Sequence, residues 1–357
     1  MKILHFAIEN YARVPSQLVN AEKELGHDSY LMTLYPSPRN VHDEDYCLNM
    51  PFVANRFVKS FKKFLNPFQS PPAFYRRDPS VGTPLWKPHL HEKVLFNIRD
   101  SIWDNQIRKY LDKIHIHTFD LLILDGGAGF LRNGNIVSDL KKQGLKIAIL
   151  YCGSDLRTRG RIPNVDDLAD YRFTVEHDHT LLYPGIQFLY FPFQLPEQQL
   201  PLLKKGNKVR IGHSPTKRKI KGTDIILQQL SELQKIVPVE IVLIENLPFM
   251  EALQLKQSCD LFIEAIGELG YGISGLEALA MGIPSAVELM PDFEEFLGDH
   301  PFVNISRDNI GEALIPFIKS KEKRVKLGEK GKIWVKTHHD PVRVSSKMLS
   351  VMGLVTR

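Results

Sequence analysis

Short apolar runs alternate with helix-like stretches along most of this chain, and that alternation constrains the fold more than any other feature of the sequence. Residues 2–8 and 28–34 read as buried strands, and residues 16–25 between them read as a helix that ends at Gly26. Such a strand–helix–strand order is typical of a parallel sheet covered by helices. The first half of the chain is therefore predicted to form an α/β domain.

Two further apolar runs, at 120–124 and 146–151, predict strands that are buried on both faces of that sheet. The stretch 192–207 then holds three prolines followed by Lys-Lys-Gly-Asn, which predicts an interdomain linker. After this linker the alternation restarts. Strands are predicted at 208–212, 239–245, 260–265 and 284–288, and helices at 224–236, 248–258, 273–281, 308–319 and 321–338.

The length fits this division, because 357 residues make two domains at about 100 to 200 residues each. We expect domains at 1–200 and 201–340, each built on a Rossmann-like parallel sheet, with a cleft between them. Within the first domain, a loop rich in prolines and aromatic residues over 68–91 precedes a helix over 91–114. Candidate core positions on that helix are Leu95, Ile98, Ile102, Ile107 and Leu111.

The composition is that of an ordinary globular protein, with 43% apolar and 24% charged residues. No apolar run reaches the roughly 18 residues that span a bilayer, and the apolar core of the N-terminus is too short for a secretory signal. The three cysteines, Cys47, Cys152 and Cys259, are widely separated and form no Cys-x-x-Cys pair. We therefore expect reduced thiols in a cytoplasmic protein and no cysteine zinc site.

The net charge of +5 is concentrated in one segment. Residues 46–77 contain six basic and no acidic residues, so the rest of the chain carries a net charge of −1.

Within this basic segment, residues 55–65 are predicted to form an amphipathic helix with phenylalanines on one face. Its basic face carries Arg56, Lys59, Lys62 and Lys63. Two interpretations stay open: the helix docks on an anionic membrane surface, or its apolar face packs on the protein's own core. Nucleic acid is a poorer partner, because the basic face lacks interleaved stacking aromatics.

The stretch 267–284 carries the strongest functional signal. Gly270, Gly272 and Gly275 follow a predicted strand and open a helix, so backbone N–H groups and the positive helix end can approach an anion closely. Glu277 is the only charge in that helix, and burying an unpaired carboxylate would cost several kcal/mol. Either a polar ligand such as ribose hydroxyls satisfies this carboxylate, or it faces solvent or pairs with a basic residue.

The same glycines also fit the Gly-x-Gly-x-x-Gly pattern of dinucleotide-binding domains. In those domains the glycines follow the first strand, whereas about two predicted strands precede them here. An NAD-dependent oxidoreductase is therefore a weaker interpretation. A hydrolase nucleophile elbow is excluded, because Leu276 stands where its second glycine must be.

A second stretch suited to phosphate, 212–224, leaves the first strand of the second domain. It precedes a helix that Thr223 or Asp224 can cap. Its four cations are Lys217, Arg218, Lys219 and Lys221. At the carboxyl end of a strand these charges would complement a diphosphate, and an exposed basic loop is the alternative.

Together these two stretches resemble the donor-binding domain of GT-B glycosyltransferases, in particular the family 4-like retaining enzymes of a bacterial polysaccharide and glycolipid branch. His-Ser-Pro at 213–215, Lys-Arg at 217–218 and Lys-Gly-Thr at 221–223 look like that branch's His-Ala-Pro, Asn-Arg and Lys-Gly-Thr signature. The stretch 270–284 is similar to the family's Glu-Gly-Phe-Gly segment and its second motif glutamate. The likeness runs over most of the chain and implies an α/β protein of the GT-B fold, with residues 341–357 crossing back to the first domain.

By this resemblance Lys221 and Arg218 would hold the donor diphosphate during catalysis, and Glu277 would bind the nucleotide ribose. The family's first motif glutamate is expected at position 269, where this chain has Leu269, so the catalytic candidate is Glu268, one place early. The remaining donor-binding candidates are His213, Ser214, Lys217, Gly222, Gly270, Tyr271, Gly272, Ile273, Ser274 and Gly275.

On the first domain, the segment 151–157 resembles a His-Gly-Ser-Asp-hydrophobic-Arg loop in which Cys152 stands where histidine is usual. Asp155 keeps its place in this loop and is a further catalytic candidate. The resemblance implies that this domain presents the acceptor. The acceptor-side candidates are Asn10, Tyr11, Gly153, Ser154 and Arg157.

The implied activity is transfer of a hexose from a nucleotide-sugar donor to a glycan or lipid-linked acceptor with retention of configuration. No cofactor is implied, and the departing diphosphate would be stabilised without a metal. The implied location is the cytoplasm, with peripheral contact to the inner face of the membrane. Because Leu269 and Cys152 depart from the family pattern, a catalytically inactive partner or chaperone of another glycosyltransferase stays open as an alternative.

Two histidine-containing stretches, 176–179 and 337–340, resemble metal ligands in composition only. Neither has a matched second cluster at a known spacing, so roles in a loop and at a helix end are the better interpretation. The acidic triplet at 43–45 is interpreted as a solvated turn.

Overall fold

The computed structural model describes residues 1–36, 43–51, 82–153, 155–196, 206–267 and 270–354. These residues divide into two compact units. The first holds the described residues up to Pro192 together with those from Pro341 onward, and the second holds those from Phe193 to Asp340. The amphipathic helix predicted over 55–65 lies outside the described residues, and so do its basic side chains.

The first unit is built on a parallel sheet of seven described strands. In chain order these are β1 (Lys2–Ala7), β2 (Asp28–Thr33), β3 (Tyr46–Cys47), β4 (Leu121–Asp125), β5 (Lys146–Tyr151), β6 (Tyr171–Thr174) and β7 (Gln187–Phe188). They lie in the order β3-β2-β1-β4-β5-β6-β7, and every neighbouring pair is parallel. The strand order therefore reverses between β1 and β4, and ligands of open α/β sheets bind beyond the carboxyl ends of the strands at such a point.

The second unit contains a smaller parallel sheet. Its described strands are β8 (Val209–His213), β9 (Val239–Leu243), β10 (Leu261–Ile263), β11 (Ser285–Val287) and β12 (Val303–Asn304). They lie in the order β12-β11-β10-β8-β9, all parallel, so the strand order reverses between β8 and β10. The α/β class with two parallel sheets, predicted from the alternation of apolar runs and helices, is confirmed.

Helices connect these strands in both units. In chain order the described helices are α1 (Val14–Glu24), α2 (Leu90–Lys113), α3 (Asn135–Lys142), α4 (Pro163–Asp166), α5 (His179–Leu182), α6 (Arg218–Lys221), α7 (Thr223–Gln234), α8 (Phe249–Gln257), α9 (Ile273–Ala280), α10 (Pro291–Leu297), α11 (Ile310–Lys319), α12 (Lys321–His338) and α13 (Pro341–Val351). Of these, α6 to α12 belong to the second unit and α13 belongs to the first. Within the described ranges, no helix is both long enough and apolar enough to cross a membrane.

The core of the first unit lies on both faces of its sheet. Along β1, Ile3 packs into one apolar cluster whereas Leu4 and Phe6 pack into another, because successive side chains of a strand point to opposite faces. The last helix, α13, completes one of these faces. Its Met348 is wholly buried in the same cluster as Leu18 of α1.

The core positions predicted on α2 are wrong in part. Ile107 and Leu111 are buried, but Leu95, Ile98 and Ile102 are 50%, 54% and 53% exposed. The buried positions of this helix are Asp100, Trp103, Ile107 and Leu111. Their spacing of three or four residues defines the side that packs on the core, and this turns the three exposed positions away from it. The N-terminal half of α2 therefore presents apolar side chains to solvent.

Candidate functional site

Two loops meet at the carboxyl edge of the second sheet, where its strand order reverses. One loop leaves β8 and leads into α6, and the other leaves β10 and leads into α9. The backbone N–H of Ile266 donates to the carbonyl of Lys221 at 3.1 Å, which joins the two loops. Their side chains also meet, because Lys221 Nζ lies 2.6 Å from Glu264 Oε1. This ion pair is the centre of the candidate site.

Glycines allow the ion pair to lie directly against the start of α9. A β-carbon at position 272 would lie 2.5 Å from Glu264 Oε1 and 3.3 Å from Lys221 Nζ. A β-carbon at position 275 would lie 3.2 Å from Ser285 Oγ and 3.4 Å from Glu264 Oε2. Position 272 therefore has no room for a side chain, and this close approach accounts for its glycine.

Two positive features lie side by side at this point: the Lys221 ammonium and the start of α9. The first N–H groups of an α-helix have no partner within the helix, and the helix dipole places about half a positive charge there. Glu264 supplies one compensating carboxylate and is only 1% exposed. Its Oε2 and the Ser285 hydroxyl are buried with no hydrogen-bond partner among the described residues. The arrangement can hold a further anion, which would receive hydrogen bonds from α9 and from Lys221.

Arg218 lies on the same edge of the sheet but on the exposed side of the short helix α6. Its guanidinium forms a bidentate ion pair with the carboxylate of Glu245, a residue that follows β9. The two N···O distances are 2.8 and 2.7 Å. This pairing lowers the pKa of Glu245 below its ordinary value. Lys217 and Lys219 are also exposed. For these two side chains, the structure fits the alternative interpretation of the stretch 212–224 as an exposed basic loop.

His213 lies behind the site, with a side chain that is wholly buried. Its Nδ1 is 2.9 Å from the carbonyl oxygen of Ile263, and its Nε2 is 2.9 Å from the hydroxyl of Thr223. Burial lowers the pKa of His213, so the neutral imidazole donates to the carbonyl and accepts from the hydroxyl. The predicted donor-binding histidine thus links β8, β10 and the first residue of α7. Gly222, which precedes α7, has the positive φ of 64° that this tight connection requires.

Glu277 pairs with a basic residue, so the pairing alternative is confirmed. Its Oε2 accepts from the ammonium of Lys256, a residue of α8 that is 2% exposed. Lys256 also donates to Ser274 Oγ at 2.5 Å and lies 4.7 Å from the centre of the Phe262 ring. Because this cation compensates the carboxylate, burial of Glu277 is by itself no evidence for a ligand.

Tyr271 points into an aromatic cluster. Its ring stacks on Phe302 at 4.6 Å and on Phe293 at 5.5 Å, and its hydroxyl lies 3.1 Å from His339 Nε2. A β-carbon at Gly270 would lie 2.7 Å from the Phe293 ring, which explains the glycine there. The donor-binding candidates Ser214, Ile273 and Ser274 are half-buried, and Glu268 and Leu269 lie outside the described residues.

The acceptor-side candidates follow the carboxyl ends of β1 and β5 in the first unit. Asn10 is buried, and its Nδ2 donates to Ser16 Oγ of α1 at 3.0 Å. Tyr11 is 60% exposed, and Gly153 adopts a positive φ of 59°. Ser154 lies outside the described residues.

Asp155 follows β5, and its Oδ2 accepts from the Cys152 N–H at 3.0 Å. Burial raises the pKa of Asp155 to about 6, against the opposing effects of Arg159 and of the hydrogen bond from the Cys152 N–H. A carboxyl group that titrates close to neutral pH can both accept and release a proton. Burial also raises the pKa of the Cys152 thiol well above its usual range, so this thiol stays protonated and packs against the apolar core.

Arg157 forms ion pairs with Glu176 at 2.5 Å and with Asp178 at 2.6 Å. The histidine that follows them, His179, is buried between Thr174 and the Gly153 carbonyl. Residues 176–178 lie in a loop, as interpreted from the sequence, and His179 is the first residue of α5. No group of three or more His, Cys, Asp and Glu side chains in the described ranges is arranged to hold a metal ion.

Three residues at the site did not stand out in the sequence: Glu264, Lys256 and Glu245. Glu245 and Glu264 lie at the carboxyl-terminal ends of the predicted strands 239–245 and 260–265, at the sheet edge where ligands bind, and this position is a usable signal. Lys256 carries no such signal, because a lysine in the last turn of a helix is ordinary.

No protein-family model and no curated protein matches this sequence. Solved structures match it over its whole length. The glycosyltransferase SnogD from Streptomyces nogalater has a TM-score of 0.53 at 15% identity, with 98% of this chain and 99% of SnogD covered. Sucrose-phosphate synthase from Thermosynechococcus elongatus has a TM-score of 0.56 at 12% identity, with 99% and 98% covered. A protein assigned as UDP-N-acetylglucosamine 2-epimerase from Listeria monocytogenes has a TM-score of 0.53 at 11% identity, with 100% and 98% covered. These identities establish the fold alone. The chain has the predicted GT-B fold.

Removing one partner of the Lys256–Glu277 pair should destabilise the second unit. Lys256→Met leaves the carboxylate of Glu277, whose side chain is 11% exposed, without its cation. We therefore expect the free energy of unfolding to fall by about 3–5 kcal/mol, measured by chemical denaturation. The double variant Lys256→Met/Glu277→Gln should recover most of that loss. The exposed Lys235→Met is the matched control and should stay within about 0.5 kcal/mol of the parent. A single variant as stable as this control would contradict the pairing.

Proposed function

We propose that this chain is a glycosyltransferase that moves a sugar from a nucleotide-sugar donor to an acceptor hydroxyl. The observation that carries the proposal is the Lys221–Glu264 ion pair against the start of α9, which offers a diphosphate both a fixed cation and N–H donors. Nucleotide sugars carry such a diphosphate between nucleoside and sugar. The GT-B fold supports the proposal, since SnogD and sucrose-phosphate synthase share it.

In the proposed reaction the bond between the anomeric carbon and the donor diphosphate breaks, and the acceptor oxygen forms the new bond. Negative charge develops on the departing diphosphate. Lys221 and the N–H groups at the start of α9 would stabilise that charge. Arg218 would contribute as well if its guanidinium leaves Glu245 and binds the phosphate instead. Attack from the face that the diphosphate leaves would retain the configuration, as the resemblance to family 4-like enzymes implies.

Glu264 would hold the Lys221 ammonium in place before the donor arrives. Its carboxylate is buried, and its Oε1 lies where any side chain at position 272 would collide with it. Little rearrangement would then be needed when charge develops on the diphosphate. We assign Glu277 to the ribose hydroxyls through Oε1, with Lys256 holding its Oε2.

The first unit would bind the acceptor, with Asp155 as the group that takes its proton. A pKa of about 6 suits a base that works near neutral pH. Asn10, Tyr11, Gly153 and Arg157 lie along the same edge of the first sheet, because they follow the carboxyl ends of its parallel strands. The acceptor that these residues would present is a glycan or a lipid-linked sugar.

Two other functions receive less support. The glycines at 270–275 follow β10, the third strand of the second unit in chain order, whereas a dinucleotide fingerprint follows the first strand. An oxidoreductase is disfavoured for this reason. A catalytically inactive partner of another glycosyltransferase would bind the donor without turnover, and the following assay separates it from an active enzyme.

The Lys221→Ala variant should lose sugar transfer because it removes the cation that faces the departing diphosphate. A thermal-shift screen against UDP-, GDP-, CDP- and TDP-sugars first identifies the donor, since a ligand that binds the folded state raises its stability. Turnover of that donor, by transfer or by hydrolysis, should then fall about 10²- to 10³-fold in the variant. Lys219→Ala is the matched control, because Lys219 is an exposed cation of the same helix, and it should retain turnover. Unchanged turnover in Lys221→Ala would refute the assignment.

We further propose that the first unit contacts an anionic membrane as a peripheral protein of the cytoplasmic face. On α2 the exposed apolar side chains Leu90, Val94, Ile98 and Ile102 recur every fourth residue and form one stripe. In the sequence this helix follows the basic segment 46–77. Apolar side chains for the lipid interface and cations for its headgroups are the two components of peripheral membrane binding.

Vesicle flotation tests this surface. The protein should float with vesicles that contain anionic lipid, should not float with neutral vesicles, and should be released as salt is raised. The variant Lys59→Gln/Lys62→Gln/Lys63→Gln removes three charges worth about 1 kcal/mol each, so its partitioning should weaken roughly 100-fold. The variant Lys109→Gln/Lys113→Gln, at the far end of α2, is the control for charge. Absence of salt-sensitive binding to anionic vesicles would remove the membrane claim.

A further inference from the structure

Three arginines gather around the glycine turn that follows β4 in the first unit. Arg132 donates from an Nη to the Ala128 carbonyl at 3.1 Å, and Arg159 donates from an Nη to the Gly126 carbonyl. Arg99 and Arg132 lie near the same aromatic ring, that of Phe96. The guanidinium carbon of Arg99 is 4.8 Å from the centre of this ring, and the guanidinium carbon of Arg132 is 5.9 Å from it. We call Arg99, Arg132 and Arg159 the arginine cluster.

In the part of the chain that the structure describes, two carboxylates lie near the arginine cluster, and both already accept hydrogen bonds. Asp100 accepts from Arg99 at 2.5 Å and from the backbone N–H groups of Arg132 and Asn133 at 2.7 and 3.2 Å. Asp155 accepts from the Cys152 N–H, and its other oxygen lies 4.0 Å from Arg159. Among the described residues, the cluster therefore holds three arginines against two carboxylates.

Arg132 is the member whose charge is least compensated. The Arg132 side chain has five N–H donors. Among the described residues, one of these donors has a hydrogen-bond partner, the Ala128 carbonyl, and the buried Nε has none. No carboxylate oxygen of the described residues lies within 4.0 Å of the Arg132 guanidinium. Burial lowers the pKa of Arg132 to about 9, and the neighbouring Arg159 and Arg99 add to this effect. A half-buried guanidinium whose buried Nε has no hydrogen-bond partner among the described residues, and whose neighbours carry the same charge, can accommodate an anion.

The cluster also lies where a ligand can reach it. The glycine turn leaves β4, the strand at which the order of the first sheet reverses, and Asp155 and Arg159 follow the neighbouring β5. Arg99 and Arg159 are 20% and 18% exposed. Gly126 has a positive φ of 76°, and this turn brings its carbonyl to the Arg159 guanidinium.

We propose that the arginine cluster binds a phosphoryl group. Planar guanidinium forks match phosphate oxygens in pairs, and a phosphate would supply the acceptors that Arg132 lacks. Resting on the proposed function, this phosphoryl group is part of the acceptor, either on a lipid-linked sugar or on a soluble sugar phosphate. In both cases the acceptor is anionic.

Phosphate titration followed by tryptophan fluorescence tests the proposal. Trp86 lies 5.7 Å from the Arg132 guanidinium and Trp103 lies 4.6 Å from that of Arg99, so both rings report on the cluster. The titration is made in a Lys221→Met/Glu264→Gln background, so that binding at the second unit is weakened and no buried carboxylate is left without its cation. At constant ionic strength, inorganic phosphate should give a saturable change, and acetate and chloride should give none.

Arg132→Gln should weaken phosphate binding at least tenfold. Arg108→Gln, an exposed arginine of α2 paired with Asp104 and Asp139, is the matched control and should bind phosphate like its parent. Without phosphate, Arg132→Gln should unfold at the same denaturant concentration as the parent or a higher one, because it removes a half-buried charge that has like-charged neighbours. If this variant does not fold, Arg159→Gln replaces it with the same expected loss.

Glucose 1-phosphate represents a soluble sugar phosphate, and farnesyl phosphate represents a lipid-linked acceptor. The compound that resembles the true acceptor should bind more tightly than inorganic phosphate, so the two compounds distinguish the two sources of the phosphoryl group. The proposal is overturned if phosphate gives no saturable signal, if acetate reproduces it, or if Arg132→Gln binds phosphate unchanged. Donor turnover that depends on Lys221 while phosphate fails to bind would refute this inference and leave the proposed function standing.

Discussion

The ion pair between Lys221 and Glu264 is the contact on which the rest of the second unit's site depends. It joins the loop after β8 to the loop after β10 across the point where the strand order reverses. It also requires a glycine at 272, since any side chain there would collide with the Glu264 carboxylate. The pair therefore lies directly against the start of α9, beside the N–H groups that an anion would meet.

A buried charge network lies at the corresponding point of the first unit. Between β1 and β4, His5 Nδ1 lies 3.0 Å from Asp125, and its Nε2 lies 3.2 Å from Glu22. Burial disfavours the imidazolium, but the two carboxylates outweigh it and raise the pKa of His5 to about 10. Asp125 directly precedes the glycine turn of the arginine cluster. In each unit, then, buried charges order the loops at the strand reversal, where parallel sheets bind ligands.

Much of this architecture could be predicted from the sequence. The apolar runs are buried strands, and the glycines and basic residues lie at one sheet edge, because parallel strands end together. Tertiary pairing could not be predicted. Glu264 and Lys256 are remote in sequence from Lys221 and Glu277, so no local pattern shows which charges meet. The periodicity of α2 was misleading because it contains two apolar faces, and only packing decides which of them is buried.

In the proposed function, a nucleotide-sugar diphosphate binds at the start of α9. Hydrogen–deuterium exchange, with and without nucleoside diphosphates and their sugars, tests this location directly. We expect the stabilising nucleotide to slow exchange in peptides that contain Gly270–Glu277 and Lys217–Thr223, and we expect Glu264→Gln to weaken this protection. Protection confined to other parts of the chain, or none with any of the UDP, GDP, CDP and TDP series, would contradict it.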